Sequence, residues 1–93
     1  MKGVVKMGTE TYLSNDSIRR ICGLFGGIDE KTIGKIIKTA SCEAGTKTKG
    51  GAYIYKDEEK LFEVLKRFLG EQFKAYKINS FGKLVQWYVW HYN

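Results

Sequence analysis

The fold of this chain is decided by the stretch DSIRRICGLFGGIDEKTIGKIIKTA at residues 16–40. Apolar side chains recur twice within it at the i, i+3, i+4 and i+7 spacing of a single helix face. They are Ile18, Ile21, Cys22 and Phe25 in the first run and Ile33, Ile36, Ile37 and Ala40 in the second. Gly26 and Gly27 separate the runs, because glycine adopts at little cost the left-handed backbone conformations that end helices. The stretch therefore predicts two short helices, the second covering residues 29–40 with Asp29 as its N-cap.

A basic hairpin is predicted at residues 46–56, immediately after the second helix and a non-helical link at residues 42–45. The β-prone arms TKTK and AYIYK flank Gly50 and Gly51, and two glycines between such arms favour a tight turn of the primed type. On the other side of the helix pair, residues 3–13 contain a short apolar run and are predicted to form a strand or an extended arm.

The C-terminal half is predicted to be mainly helical. Asp57 caps a third helix that ends near Gly70. Its apolar stripe consists of Leu61, Val64, Leu65, Phe68 and Leu69. Residues 73–78 are compatible with a strand. Residues 80–92 fit a last helix, but their β-branched and aromatic residues fit a strand as well. The apolar side of that helix would be Phe81, Leu84, Val85 and Tyr88.

Length and composition indicate one α+β domain over residues 1–93. A chain of 93 residues with 43% hydrophobic content can bury a single core. The net charge of +6 is concentrated in residues 1–56, which hold ten basic and five acidic side chains and so suit a polyanionic partner. A protein that is merely basic would show the same excess. No membrane span or signal peptide is evident, and two cysteines suggest reduced thiols in a cytoplasmic protein.

Catalysis, a metal centre and a cofactor are not expected from the residue types present. The only histidine, His91, lies close to the C-terminus, far in sequence from the two cysteines Cys22 and Cys42. A zinc site needs four ligands at recognisable spacing, and these three residues do not supply them. Gly50 and Gly51 lack the Gly-Lys-Ser/Thr sequence of a phosphate-binding loop. We therefore expect a binding protein and no enzyme.

Residues 19–38 resemble the helix-turn-helix of bacterial and phage regulators. That motif has a small residue in its first helix, a glycine at the turn and three apolar residues at fixed spacing. The corresponding residues here are Gly23, Gly27, Ile28, Ile33 and Ile36. In the motif the small residue lets the two helices cross closely, and the turn glycine takes a positive φ. Gly26 departs from the pattern, since the motif usually has an apolar residue at that place.

The longer stretch 12–69 resembles the winged helix-turn-helix of MerR-type regulators and phage excisionases. In that group a strand-like wing runs directly into an acid-capped helix, here KDEEKLFEVLKRFL at residues 56–69. The resemblance implies a small winged helix-turn-helix domain with residues 70–93 as a C-terminal extension. It also implies binding of double-stranded DNA, with the helix at 29–40 in the major groove and the hairpin at 46–56 as the wing. The DNA-binding residues that it implies are Arg19, Arg20, Lys31, Thr32, Lys35, Lys38, Thr39, Lys47, Lys49, Gly50 and Gly51.

The basic residues at this surface differ in kind from those of the relatives. Such proteins often carry arginine in the recognition helix and wing, whereas this chain has lysines and threonines. Lysine acts as a point charge toward phosphate, while arginine binds guanine through two hydrogen bonds. We therefore expect contact mainly with the DNA backbone and little direct readout of bases. Each lysine taken alone is equally typical of a solvated helix face.

Three functional hypotheses follow from these features. The first is a DNA-binding regulator or accessory factor of a phage, plasmid or other mobile element. The alternative is a protein-interaction module, such as a phage-encoded inhibitor of a host nucleic-acid enzyme. A third is binding of RNA or single-stranded DNA through Tyr53 and Tyr55, although such tyrosines more often cover the edge of a core. Aromatic residues at 81–92 exceed what one short helix face can bury, and this excess predicts a homodimer through the C-terminal segment.

Overall fold

A computed structural model describes residues 4–7 and 10–92 of the chain and gives an α+β fold. Its elements are β1 (Val4–Met7), β2 (Glu10–Leu13), α1 (Asn15–Phe25), α2 (Glu30–Ala44), β3 (Thr46–Lys49), β4 (Ala52–Tyr55), α3 (Glu58–Ala75) and α4 (Phe81–Tyr92). Within these residues the strands form two separate antiparallel hairpins, β1–β2 and β3–β4. The predicted α+β class is confirmed. No helix in the described part of the chain has both the length and the apolar character needed to cross a membrane.

The helices α1 and α2 are separated by glycines, as predicted, and each begins at a polar cap. The backbone N–H of Ser14 donates to Ser17 Oγ at 2.8 Å before α1 begins. Gly26 and Gly27 follow α1 with φ angles of 76° and 73°, which an L-residue rarely adopts. Asp29 Oδ1 then accepts a hydrogen bond from the Thr32 N–H at 2.9 Å and caps α2.

The prediction that the second helix ends at Ala40 is wrong, because α2 continues for one more turn to Ala44. Ala40 and Ala44 are both buried, so the apolar stripe of the helix extends past the predicted end. Gly45 closes the helix with a φ of 71°, and its N–H donates to the Ser41 carbonyl at 3.1 Å. Residues 42–44 therefore belong to the helix and not to a link.

The third helix is also longer than predicted. Gly70 does not end it; instead Leu69 has non-helical angles (φ −117°, ψ 25°), and the helix continues beyond this kink to Ala75. Phe73 is buried and stacks on Phe62 with ring centroids 5.3 Å apart. Because this packing needs a further helical turn, the strand predicted at residues 73–78 does not form.

Residues 81–92 form a helix, which removes the alternative of a strand. Ser80 Oγ accepts the Lys83 N–H at 3.2 Å and caps α4. Leu84 and Tyr88 are fully buried, and Trp87 stacks on Phe25 of α1 with centroids 4.6 Å apart. Residues of α4 thus join the same buried cluster as those of α1, α2 and α3.

Both hairpins are antiparallel ladders of four pairs. The first runs from Val4 opposite Leu13 to Met7 opposite Glu10. The single strand or arm predicted at residues 3–13 is therefore two strands, and its first residue lies outside the described residues. The second pairs Thr46 with Tyr55 and Lys49 with Ala52. Its turn glycines have φ angles of 58° and 84°, the two positive values of the primed turn that was predicted.

Candidate nucleic-acid interface

Three lysines form a straight ridge on the outer side of α2. Lys31, Lys35 and Lys38 are exposed and follow one another at i, i+4 and i+7, on the side of the helix away from its buried residues. None of the three makes an ion pair with a carboxylate among the residues that the structure describes. We call these three residues the lysine ridge. Its charge is available to an anionic partner.

The two glutamates of α2 are held by arginines of neighbouring helices. Glu30 accepts a hydrogen bond from Arg19 Nη1 of α1 at 3.2 Å. Glu43 accepts two from Arg67 of α3, at 2.8 and 3.1 Å. These hydrogen bonds lower the pKa of the Glu43 carboxyl. Both acids are therefore directed toward other helices, and the ridge keeps its positive charge.

The N-terminus of α2 is capped by the chain itself. Helix N-termini bind anions through their free N–H groups, but here Asp29 occupies that position. Hydrogen bonds with Thr32 lower the pKa of the Asp29 carboxyl, which favours its charged form. A fixed negative charge at this end disfavours a phosphate there. A polyanion would consequently meet the side of α2 and not its tip. Thr32 and Thr39, both half-buried, flank that side.

The β3–β4 hairpin is anchored directly to the end of α2. The N–H groups of Lys56 and Asp57 donate to the carbonyls of Gly45 and Ala44 at 2.9 and 3.2 Å. The hydroxyl of Tyr55 donates to Asn15 Oδ1 at the start of α1. Burial raises the pKa of Tyr55 to about 12, with a hydrogen bond to Ser41 of α2 opposing the shift. The base of the hairpin is thus held by both helices.

The exposed part of the hairpin contains fewer available charges than predicted. Lys47 and the turn glycines Gly50 and Gly51 are exposed. Lys49 is half-buried, and its ammonium lies 4.8 Å from the centroid of the Tyr12 ring, within range of a cation–π interaction. Lys49 therefore helps to join the two hairpins.

The two tyrosines of β4 have different environments. Tyr55 is buried, which confirms that it covers the edge of the core. Tyr53 is 73% exposed, so the same expectation is wrong for it. Tyr53 lies two residues nearer the tip than Tyr55, where the core no longer reaches the strand. It is opposite Thr48 in the ladder and presents its ring to solvent.

The two predicted arginines are separated by the fold. Arg19 is half exposed beside the start of α2, where it pairs with Glu30. Arg20 is half-buried and lies close enough to Tyr88 of α4 to oppose the rise that burial causes in the pKa of that phenol. Arg19 is therefore placed next to the helix that carries the lysine ridge, and Arg20 next to α4.

The glycines of the helix-turn-helix pattern fulfil only part of their expected roles. Gly27 has the positive φ expected at the turn, and Ile33 and Ile36 are buried. A Cβ added at Gly23 would meet no atom within 4 Å, so this glycine does not serve a close crossing of the helices. A Cβ added at Gly34 would likewise meet no atom within 4 Å, so this glycine also serves no close crossing of helices and leaves open space between the ridge lysines.

Two residues near the ridge were not predicted from the sequence. Cys42 is exposed and follows Lys38 by four residues, so it continues the line of the lysine ridge. Lys56 is exposed at the base of the hairpin, and its Cδ lies 3.2 Å from where a Cβ of Gly45 would be. Following the periodicity of α2 through Ala44 would have placed Cys42 on this face.

Among the described residues, no group of three or more histidine, cysteine, aspartate or glutamate side chains could hold a metal ion. His91 Nδ1 lies 2.9 Å from the Trp87 carbonyl at the far end of α4. No family model matches the chain, and no curated protein or solved structure matches it either. The function is therefore inferred from the geometry of the site.

Proposed function

We propose that the chain binds double-stranded DNA as a winged helix-turn-helix, with α2 in the major groove and the β3–β4 hairpin as the wing. The observation that carries this proposal is the lysine ridge, whose three exposed lysines make no ion pair with a carboxylate among the described residues. The order α1, α2, hairpin, α3 supports it, since it is the order expected of MerR-type regulators and excisionases. We propose an accessory or regulatory role in a phage, plasmid or other mobile element.

The dimensions of α2 are compatible with a major groove. A helix of 15 residues is about 22 Å long and, with side chains, about 10–12 Å wide, which matches a groove about 12 Å across. The lysine ridge extends over two turns, so its ammonium groups can contact phosphates on the groove walls. With no arginine on this face, contacts to the backbone dominate and affinity depends strongly on salt.

The exposed thiol of Cys42 provides a direct test of which face meets DNA. Cys22 is 1% exposed and burial raises its pKa to about 11, so a thiol reagent applied to the folded protein reports on Cys42. We expect a random-sequence duplex at low salt to shift the protein in a gel, to slow alkylation of Cys42, and to lose both effects as salt is raised. If the duplex bound but did not slow the alkylation of Cys42, the α2 face would be excluded as the DNA-binding surface.

The exposed aromatic residues of the C-terminal half favour a second contact, with another copy of the chain. Trp90 is 79% exposed and lines a cavity of about 310 Å³ together with half-exposed Tyr76. Aromatic residues are enriched at protein interfaces. We propose a homodimer through this surface, in which Trp90→Ala gives a monomer by light scattering and Tyr53→Ala, another exposed aromatic, does not. A wild-type protein that is monomeric at every concentration would contradict the dimer.

The remaining hypotheses are distinguished by the same binding assays. A protein-interaction module would bind one stoichiometric protein partner and would not shift duplex DNA at low salt. Binding of single strands would depend on the exposed ring of Tyr53, because bases stack on aromatic side chains. Competition between duplex and single-stranded oligonucleotides of equal length separates this hypothesis from the first, and a preference for duplex removes it.

A further inference from the structure

A concave surface on the second half of α3 carries three lysines around an apolar floor. The cavity has a volume of about 480 Å³, within the usual range for small-molecule sites of about 300–1,000 Å³. It is lined by the exposed residues Lys66, Lys74, Lys77 and Asn79 and by Gly70, Phe73 and Ile78, which we call its floor. Among the described residues that line it, none belongs to α2 or to the β3–β4 hairpin.

The charge of this cavity is not neutralised by its surroundings. No carboxylate lines it, and none of its three lysines makes an ion pair within the described part of the chain. Among the acids of α3, Glu63 is directed toward Lys60 and Arg67, at 3.8 and 3.9 Å. Glu71, which follows Gly70 in the chain, is exposed and does not line the cavity. Three unpaired ammonium groups around one opening suit a ligand with several negative charges, and lysine is a common partner of phosphate.

Lys77 occupies a backbone position that glycine normally takes. It has a φ of 58°, the one positive value at a non-glycine residue in the part of the chain that the structure describes. The Ile78 N–H donates to the Phe73 carbonyl at 2.8 Å and the Lys77 N–H to the Lys74 carbonyl at 3.2 Å, which is the Schellman ending of a helix. Lysine is strained at this position, so a charged side chain is present where the fold alone would favour glycine.

Gly70 lies directly after the kink at Leu69, and a Cβ built there would meet no atom within 4 Å. The missing side chain leaves the floor of the cavity open. A local rule of sequence is thus broken at Lys77, which lines the same cavity as the open Gly70. Such exceptions are expected at functional sites.

We propose that this cavity binds a phosphorylated small molecule of nucleotide size, with the phosphates held by Lys66, Lys74 and Lys77 and an apolar or planar group over Phe73 and Ile78. The apolar floor distinguishes this ligand from inorganic phosphate. The concave shape distinguishes the site from the straight lysine ridge on α2. The site does not depend on DNA binding.

The test is calorimetric titration of the full chain with nucleoside 5′-diphosphates of all four bases, with the unphosphorylated nucleosides and with inorganic pyrophosphate. We expect at least one diphosphate to bind about tenfold or more tightly than pyrophosphate, and the nucleosides to bind weakly, because phosphate and apolar floor both contribute. If pyrophosphate bound as tightly as every diphosphate, the proposal that the ligand has an organic group would be refuted. If neither pyrophosphate nor any of the four diphosphates bound, the proposal of a binding site would be refuted.

Two variants separate the parts of the site. Lys77→Gly should weaken diphosphate binding about tenfold. It should also raise the melting temperature by about 4–8 °C, since the left-handed strain is relieved. Gly70→Leu should fill the floor and reduce diphosphate binding to the level of pyrophosphate. Gly34→Leu, the same change at an equally open glycine of α2, is the matched control and should leave diphosphate binding unchanged.

Binding of a duplex oligonucleotide shows whether the cavity is a separate ligand site or a part of the DNA-binding surface. We expect Lys77→Gly to leave duplex affinity unchanged and Lys35→Gln to leave diphosphate binding unchanged. If Lys77→Gly and Lys35→Gln weakened duplex binding equally, and duplex displaced the diphosphate, the cavity would be part of the DNA surface and the proposal would be wrong. Failure of duplex binding alone would leave the diphosphate result intact and refute only the DNA-binding function.

Discussion

Replacing the lysine ridge by glutamine tests the proposed DNA surface most directly. Lys31, Lys35 and Lys38 are exposed and unpaired among the described residues, and glutamine has nearly the same helix propensity as lysine. The triple variant should therefore fold as the wild type does. If each lysine neutralises one phosphate, the slope of log affinity against log salt should fall by about 0.9 per lysine, or about 2.7 in all.

This change in slope has a measurable consequence. Between about 50 and 200 mM salt, a difference of 2.7 in slope corresponds to about a 40-fold change in the ratio of wild-type to variant affinity. Fluorescence anisotropy with a labelled random-sequence duplex measures both affinities over this range. Far-UV circular dichroism and a melting curve confirm that the variant is folded.

The matched control removes three lysines elsewhere on the molecule. Changing Lys66, Lys74 and Lys77 to glutamine lowers the net charge of +6 by the same amount without touching α2. We expect this variant to keep most of the wild-type slope of log affinity against log salt concentration. Equal losses in the two triple variants would refute the reasoning, because affinity would then follow net charge and not the position of the lysines.

Three further predictions concern the framework of the site. Gly51→Ala should lower the free energy of unfolding by about 1–2 kcal/mol in urea denaturation, because the residue has a φ of 84°. A thiol reagent should titrate Cys42 alone in the folded chain and Cys22 only after denaturation, because Cys22 is buried and its pKa is raised to about 11. The lowered pKa of Glu43 means that its ionised form is favoured in the folded state, so its stabilisation is present above the ordinary glutamate pKa and is lost as pH falls through the lowered value. Melting curves of Glu43→Gln should therefore lie below wild type near neutral pH and converge with it in acid.

The starts of the helices could be predicted from the sequence because they are local. Asp29 and Asp57 cap α2 and α3 through hydrogen bonds to N–H groups three residues ahead, at 2.9 and 3.1 Å. The turn at Gly50 and Gly51 is equally local, since it needs only two residues with positive φ. Each of these signals depends on a few neighbouring residues, and each is confirmed.

The end of α1 at Gly26 and Gly27 was predicted, but the ends of α2 and α3 were not, because they depend also on distant partners. Gly70 is a helix terminator by local rules, but Phe73 gains a stack on Phe62 when α3 continues. The end of α2 at Ala44 similarly follows from burial against α3 and from the pairing of Glu43 with Arg67. Packing between elements therefore overrides the propensity of single residues.

The lysine ridge was predictable for the same reason as the caps, whereas the other basic residues were not. A helix with a buried stripe must present the opposite side to solvent, so its exposed lysines follow from periodicity alone. The surroundings of Arg20 and Lys49 depend on Tyr88 and Tyr12, which are remote in sequence. Charge patterns along one helix can be assigned from sequence, but charges that contact other elements cannot.

The length of α2 matters most for how the two parts of the proposed interface are arranged. Four additional residues move the base of the hairpin by about 6 Å along the helix axis and turn it by about 40° relative to a helix that ends at Ala40. The rest of α2 and the turn at Gly45 separate Lys47 from Lys38 along the chain. Because Gly45 bonds to Ser41 of α2 and Tyr55 to Asn15 of α1, the direction of the hairpin depends on the packed helices as well as on its own residues.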